Sequence, residues 1–154
     1  MKRVIEGGTD GTGLHVGVVA ARWNQAITDR LVAGATSRLE QLGVDRVTVV
    51  RVPGALELPL AAKKLAEDGC DAIVAIGTVV KGETDHYDIV VRESARGITE
   101  VSLSSGVPVA NAILAVHDYE LAVARAGSGE ANKGVEAVEA AVATANALRE
   151  LGES

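Results

Sequence analysis

The stretch DAIVAIGTVVKGETDHYD, residues 71–88, runs from mostly apolar residues straight into a turn crowded with charged and polar ones. Its first part predicts a buried β-strand, because a strand covered on both faces is apolar at nearly every position. The acids that follow favour the first turn of a helix. A core strand that leads through a polar turn into a helix is typical of a parallel α/β sheet, in which ligands bind beyond the carboxyl ends of the strands.

The same alternation recurs along the chain. Apolar or alternating runs predict further strands at residues 14–21, 46–52 and 107–116. Helical spacing of apolar residues predicts helices at residues 24–43, 57–69, 84–106, 118–127 and 132–151. Asn24 is the predicted N-cap of the first helix, and Gly43 the predicted stop.

These elements predict one domain over residues 1–154 with a known type of architecture. We expect an α/β fold, a flavodoxin-like three-layer α/β/α sandwich around a four-stranded parallel sheet. Residues 2–7 are expected to add an N-terminal strand. Because no companion strand lies at that end of the chain, this strand is expected to pair with the sheet edge of a neighbouring subunit.

Composition narrows the class of protein. The net charge of −6 argues against a sequence-independent nucleic-acid binder, which needs a basic patch. No apolar run approaches the length that spans a bilayer, and the N-terminus lacks the apolar region of a secretory signal. We therefore expect a cytoplasmic protein without membrane contact. The single cysteine, Cys70, excludes disulfide scaffolds and CxxC metal sites and is interpreted as a small hydrophobe at a strand start.

Common nucleotide-binding and catalytic patterns are not met. GGTDGTG, residues 7–13, is rich in glycine but precedes the first long strand, whereas a dinucleotide fingerprint needs its glycines after that strand. The pattern GxxxxGK[ST] does not occur, and neither do HExxH, GxSxG or a Cys/His cluster. The sequence therefore predicts no Rossmann, P-loop or metal site.

Residues at the carboxyl ends of the first two strands suit a planar ligand. Trp23 follows the first strand and can stack on a ring, with a core or interface tryptophan as the alternative. The VPG turn after the second strand presents backbone groups of Ala55 and Leu56, which suit the donor and acceptor edge of a heterocycle such as a pyrimidinedione. Glu57 opens the next helix, where the helix dipole alone favours an acid.

The turn after the third strand combines a predicted anion site with a histidine. Gly82, Glu83 and Thr84 are predicted at the start of the long helix, where free N–H groups and the threonine hydroxyl can bind an anion. An imidazole titrates at about pH 6.5, and a helix N-terminus disfavours its cationic form. His86 is therefore a candidate base for proton transfer, with an ordinary surface histidine as the alternative.

Two cations near the C-terminus complete the candidate set. Arg125 is predicted in the last turn of a short helix, where the dipole already favours a cation. Lys133 is predicted in the first turn of the final helix, where a cation is disfavoured. Such a locally unfavourable charge indicates an anionic ligand or a partner carboxylate.

The segments ARWN, VPGALELPLAAKKLA, GTVVKGETDHYDIVVRESARGI, GVPVANAIL, ARAG and ANKGVEA occur in the order and spacing of one enzyme family. Over nearly its whole length the chain resembles the lumazine synthases. The resemblance implies condensation of 5-amino-6-(D-ribitylamino)uracil with 3,4-dihydroxy-2-butanone 4-phosphate, giving 6,7-dimethyl-8-ribityllumazine, phosphate and water. This is the penultimate step of riboflavin biosynthesis, and the resemblance implies no metal and no organic cofactor.

The resemblance also implies a role for each candidate residue. Trp23 would stack on the pyrimidine ring, and the implied catalytic residues are His86, which transfers protons, Arg125 and Lys133. Residues 55–57 would contact the ring and the ribityl chain, and residues 82–84 the phosphate. The full implied substrate-binding set is Trp23, Asn24, Ala55, Leu56, Glu57, Val79, Val80, Lys81, Gly82, Glu83, Thr84, Asn111, Arg125 and Lys133. Asn111, Arg125 and Lys133 would be supplied by a neighbouring subunit.

Assembly is a further implication of the resemblance. The family forms pentamers, and some members close twelve pentamers into an icosahedral shell. The uninterrupted link between ARAG and NKG is similar to that of shell-forming members. Riboflavin synthase is an additional expected partner. The chain departs from the family pattern at Leu56, at Lys81 and in the segment NAILAVHD, residues 111–118.

Two other functions remain open. One is a catalytically silent shell-forming or flavin-binding relative, which would have lost His86, Arg125 or Lys133, whereas all three are present. The other is an unrelated flavodoxin-like binding module, which would need a phosphate-binding loop after the first strand. The segment AARWNQ at that place contains no glycine.

Overall fold

Strands and helices alternate along the chain in the computed structural model, which describes residues 1–153 except for the side chain of Glu130. The strands are β1 (His15–Ala21), β2 (Arg46–Val52), β3 (Ala72–Val80) and β4 (Val109–Val116). The helices are α1 (Gln25–Gln41), α2 (Leu58–Glu67), α3 (His86–Ser105), α4 (Tyr119–Ala124) and α5 (Lys133–Gly152). Short 3-10 helices at Ala55–Glu57 and Gly129–Ala131 precede α2 and α5. Among these described helices, none combines the length and the apolar character needed to cross a bilayer.

All strand pairs in the sheet are parallel. β1 pairs with β2 on one side and with β3 on the other, and β3 pairs with β4, which gives the order β2–β1–β3–β4. The chain therefore builds the sheet outward in opposite directions from β1. Such a switch point opens a crevice beyond the carboxyl ends of the strands. The predicted flavodoxin-like α/β arrangement is confirmed.

The core lies on both faces of the sheet, because successive side chains of a strand point to opposite faces. Val18 of β1 belongs to a buried cluster that includes Leu31 of α1 and Val138 of α5. The next residue, Val19, belongs to a second buried cluster that includes Leu58 of α2 and residues of α3. Helices α1 and α5 thus cover one face and α2 and α3 the other, which gives three layers.

Helix α3 begins later than predicted. Asp85 occupies its N-cap position and His86 is its first residue, so residues 82–84 form the loop before the helix rather than its start. Within that loop, the hydroxyl of Thr84 accepts a hydrogen bond from the His86 N–H at 3.4 Å. A threonine side chain bound to a nearby backbone N–H competes with helix formation, and the spacing of apolar residues does not reveal such a bond.

The N-terminal residues form no strand within the single chain. They lie on α5 instead. The Arg3 guanidinium donates to the Glu150 carbonyl at 3.0 Å, and the Asn146 amide donates to the Gly8 carbonyl at 2.8 Å. The expected pairing of this segment with a neighbouring subunit stays a prediction.

Candidate active site

A cavity of about 250 Å³ opens beyond the carboxyl ends of β1 and β3, beside the turn that follows β2. We call it the first cavity. Its lining comes from the end of β1, the turn after β2, the end of β3 and the start of α3: Ala21, Trp23, Asn24, Gly54, Ala55, Leu56, Glu57, Thr78, Val79, Val80, His86 and Val90. This is the crevice at the switch point of the sheet, where the fold places its ligands.

Trp23 forms one wall of the first cavity. Its backbone N–H donates to the Pro53 carbonyl at 3.0 Å, which ties the end of β1 to the turn after β2. Its ring lies on Gly54, where an added methyl group would come within 2.4 Å of ring atom Cε3. The side chain is 64% exposed. A planar ligand can therefore stack on the part of the indole that Gly54 does not cover.

Asn24 holds this wall to the sheet. Its backbone is left-handed, with φ 59° and ψ 44°, a conformation that asparagine tolerates better than most residues. Its amide donates to the Thr78 carbonyl at 2.8 Å. Asn24 does occupy the predicted N-cap position of α1. The expected capping bond is absent, however, because the side chain reaches across to β3.

The turn after β2 forms a second wall. The Glu57 carboxylate accepts a hydrogen bond from the Gly54 N–H at 3.0 Å, and the Glu57 N–H donates to the Gly54 carbonyl at 3.2 Å. This reciprocal pair fixes the 3-10 turn, in which Ala55 is buried and Leu56 is exposed. The carboxylate that the helix dipole favours at this position thus also closes the turn.

Thr78 is a cavity residue that the sequence analysis missed. It lines the first cavity near the end of β3 and is 5% exposed. Its hydroxyl has no hydrogen-bond partner among the described residues. A buried hydroxyl without a partner costs free energy, and this oxygen is itself almost wholly enclosed by the protein. The available signal was a polar residue inside an otherwise apolar strand.

His86 lines the same cavity from the first position of α3. The loop before it, residues 81–85, is exposed and lies outside the lining. The Lys81 N–H donates to the Val116 carbonyl at 2.9 Å, which anchors the loop to the end of β4. Since the loop joins two lining residues, Val80 and His86, it borders the cavity. It carries the predicted anion-binding residues Gly82, Glu83 and Thr84.

Arg125 and Lys133 lie elsewhere. They line a second cavity of about 280 Å³, formed where α4 ends and α5 begins. The Lys133 ammonium contacts the Glu136 carboxylate at 3.0 Å within the first turn of α5. Asn111 lies on β4 and lines neither cavity; its side-chain oxygen accepts a hydrogen bond from the Ile113 N–H at 2.8 Å. On one chain, the predicted site residues therefore lie around the first cavity or at the second cavity, except for Asn111 on β4.

Comparison with known families accounts for most of the chain. A sequence model of the 6,7-dimethyl-8-ribityllumazine synthases matches residues 13–149. The chain belongs to this family.

Individual lumazine synthases match it over nearly their whole length. The 6,7-dimethyl-8-ribityllumazine synthase of Thermococcus kodakarensis is 48% identical over 98% of this chain and 97% of the relative. That of Nitratidesulfovibrio vulgaris is 44% identical over 97% of both. That of Kineococcus radiotolerans is 49% identical over 91% of this chain and 88% of the relative. The resemblance inferred from the six segments is confirmed.

The lumazine synthase match includes both cavities, because every residue that lines them falls within the matched range. Within the part of the chain that the structure describes, no three His, Cys, Asp or Glu side chains are grouped so as to hold a metal ion.

Cys70 lies outside both cavities, just before β3, and is 3% exposed. Its interpretation as a small buried hydrophobe is confirmed. Burial, with smaller contributions from the Asp68 and Asp71 carboxylates, raises the pKa of its thiol from 9.0 to about 11. A thiol held in its neutral form is a poor nucleophile, so Cys70 is no candidate for covalent catalysis in a lumazine synthase.

Proposed function

We propose that the chain is a transferase that condenses 5-amino-6-(D-ribitylamino)uracil with 3,4-dihydroxy-2-butanone 4-phosphate. The products are 6,7-dimethyl-8-ribityllumazine, phosphate and water, and the reaction is the penultimate step of riboflavin biosynthesis. Membership of the lumazine synthase family over residues 13–149 carries the proposal. The first cavity supports it physically, because it joins an exposed indole, backbone groups at two strand ends and a histidine.

The ribitylaminouracil is assigned to the first cavity. Its ring would stack on the open part of the Trp23 indole, which offers a large contact of defined geometry. Backbone groups of the turn after β2 and of the end of β3 suit the polar edge of the ring. The residues assigned to the uracil and its ribityl chain are Trp23, Asn24, Ala55, Leu56, Glu57, Val79 and Val80.

The butanone phosphate is assigned to the border of the first cavity, at the loop of residues 81–85. Backbone N–H groups there and the Thr84 hydroxyl can donate to phosphate oxygens. The Glu83 carboxylate would point away and contribute only its backbone. The positive charges that bind the phosphate are assigned to Arg125 and Lys133 of a neighbouring subunit. A guanidinium and an ammonium form strong charge-assisted hydrogen bonds with phosphate. The residues assigned to this substrate are Lys81, Gly82, Glu83, Thr84, Asn111, Arg125 and Lys133.

The chemistry follows from these positions. The uracil amine attacks the ketone carbon, a C–N bond forms, and loss of water leaves an imine. His86 moves protons during imine formation and during the departure of the phosphate. Arg125 and the loop before α3 stabilise the charge on the leaving phosphate. Ring closure by the ribitylamino nitrogen and loss of water complete the product. Holding both substrates in reacting geometry supplies much of the rate.

The proposed assembly is a pentamer with active sites between adjacent subunits. The separation of the two cavities on one chain supports it, because the first cavity of one copy can meet the second cavity of the next. We extend the proposal to closure of twelve pentamers into an icosahedral shell, to riboflavin synthase as a partner and to a cytoplasmic location for this single-domain chain. Analytical ultracentrifugation distinguishes a pentamer from a shell, and a monomer would contradict both.

The reaction itself is tested by mixing the purified chain with both substrates and following the lumazine chromophore. We expect product to form well above the uncatalysed rate, and its failure to do so would refute the enzyme assignment.

Replacement of the proposed proton-transfer residue tests the mechanism. His86→Ala is expected to lower the single-turnover rate by about 100-fold, the lower range for general acid–base catalysis. His15→Ala is the matched control. That imidazole lies at the amino end of β1, where it bonds the Thr48 hydroxyl at 2.8 Å and lines neither cavity. Equal single-turnover rates for both variants would remove His86 from the mechanism.

A further inference from the structure

Asn132 lies in the chain between Ala131 and Lys133, which line the second cavity, and it is buried, with only 3% of the residue exposed. Its amide nitrogen donates to the carbonyls of Arg30 at 3.1 Å and Gly127 at 3.0 Å. Its amide oxygen accepts from the N–H groups of Gly134 at 2.8 Å and Val135 at 3.3 Å. Both amide hydrogens and both lone pairs are therefore used. Only one orientation of the amide satisfies two carbonyls and two N–H groups.

These bonds close the loop that separates Arg125 from Lys133. The Lys133 N–H donates to the Arg125 carbonyl at 2.8 Å. Beside this bond, Asn132 forms an isolated antiparallel bridge with Ala126. The hydrogen bond from the Asn132 side-chain amide to the Gly127 carbonyl holds the loop from inside. The backbones that carry the two cations are thus fixed against each other through residues on either side of Asn132.

Asn132 also fixes this loop against α1. The Arg30 carbonyl belongs to that helix, and Gly34 of the same helix makes room for the amide. A methyl group on Gly34 would come within 2.6 Å of the Asn132 amide nitrogen. On α5, a methyl group on Gly134 would come within 2.3 Å of the Leu31 carbonyl oxygen. The close approach of α1 and α5 therefore fixes the position of the Asn132 side-chain amide.

We infer that Asn132 is a positioning residue for Arg125 and Lys133, setting the spacing and direction of the two cations toward the substrate phosphate. The inference rests on the proposed function, in which these two residues bind that phosphate. Asn132 itself lines neither cavity and touches no substrate in this assignment. Its effect passes through the backbone, since a small displacement of binding groups lowers affinity for a ligand that needs two of them at once.

Asn132→Asp is the sharpest variant. It keeps the size of the side chain and the oxygen that caps α5, but it turns the donor NH2 into an oxygen facing two carbonyls. We expect the KM for 3,4-dihydroxy-2-butanone 4-phosphate to rise about tenfold, while the KM for the ribitylaminouracil changes by less than about twofold. Inorganic phosphate should inhibit the variant more weakly by a similar factor.

Gly34→Ala displaces the same amide without altering it and serves where Asn132→Asp does not fold. Alanine favours a helix more than glycine does, so the change leaves α1 intrinsically no less stable. Asn146→Asp is the matched control. That asparagine also lies on α5 and donates to two backbone carbonyls, those of Gly8 and Asp10, each at 2.8 Å, but it lines neither cavity. We expect both KM values of this control to match those of the unmodified chain.

The outcomes separate the inference from the proposed function. An unmodified chain that forms no product overturns the proposed function. An active chain in which Arg125→Gln leaves the butanone phosphate KM unchanged overturns the assignment of Arg125. If Arg125→Gln raises that KM but Asn132→Asp and Gly34→Ala behave like Asn146→Asp, only the positioning role is overturned. A purely structural role would reduce stability without splitting the two KM values.

Discussion

The indole of Trp23 depends on a neighbour that has no side chain. The backbone of Gly54 is extended, with φ −142° and ψ −178°, which any residue can adopt. The need for glycine arises from contact alone, because an added methyl group would lie 2.4 Å from Trp23 atom Cε3. The Trp23 ring therefore packs directly on the Gly54 backbone, where no side chain could fit.

Gly54→Ala tests this match. We expect the Trp23 ring to move, and the KM for the ribitylaminouracil to rise about tenfold because stacking geometry is lost. The KM for the butanone phosphate should change less. Gly8→Ala is the control, since a methyl group there meets nothing within 4 Å. Steady-state kinetics that give the same uracil KM for both variants would contradict the role of the contact.

At the scale of elements, the junction of β1 and α1 is made by one left-handed residue. Asn24 is the single non-glycine residue with positive φ in the described part of the chain. This backbone conformation costs about 1 kcal/mol or more for a residue with a side chain. It is retained beside the first cavity, where its amide joins the start of α1 to β3 at Thr78. Strain of this kind is often found at functional sites.

Two substitutions at this residue separate strain from bonding. Asn24→Ala is expected to lower the free energy of unfolding by about 2 kcal/mol, because it loses the hydrogen bond and because alanine tolerates the left-handed backbone less well than asparagine. Asn24→Gly loses the bond but accepts the backbone without strain, so about 1 kcal/mol should be lost. Urea denaturation measures both. If the glycine variant is no more stable than the alanine variant, the backbone at residue 24 is not strained.

The order of the elements could be predicted because each carries its own pattern. Residues 46–52 alternate and are rich in β-branched side chains, and β2 has these same bounds. Boundaries set by side-chain bonds could not be predicted in this way. The bond from the His86 N–H to the Thr84 hydroxyl precedes α3, and the Asn24 amide leaves its helix for β3. The first bond is local and the second is tertiary, and the periodicity of apolar residues encodes neither.

The candidate site was predictable to a similar extent. Trp23, the turn at residues 53–57 and His86 follow parallel strands or begin the next helix, so the fold class alone brings them together. Thr78 was missed because a strand pattern records its residue type but not its unpaired hydroxyl. The sequence also does not reveal how far Arg125 lies from these residues, because its position depends on how α4 and α5 pack.

At the scale of the whole molecule, both edges of the sheet lack a strand partner among the described residues, since β2 and β4 each pair on one side only. Val47 and Val49 of β2 are exposed hydrophobic side chains. Such edges invite pairing with another chain. The N-terminal residues meanwhile lie on α5 of their own chain. The expected pairing of residues 2–7 with the sheet edge of a neighbouring subunit would require this segment to leave α5.

The separation of the two cavities has a genetic consequence. If each complete site takes one cavity from each of two adjacent subunits, two different defective copies can restore one another. His86→Ala removes a proposed functional group from the first cavity, and Arg125→Gln removes one from the second. The catalytic activity of each variant alone should therefore be severely impaired. In a randomly mixed ring of equal parts, about a quarter of the interfaces join two intact halves. Co-expressed chains should therefore recover about a quarter of the normal activity, and mixed rings that recover none would show that the site belongs to one chain.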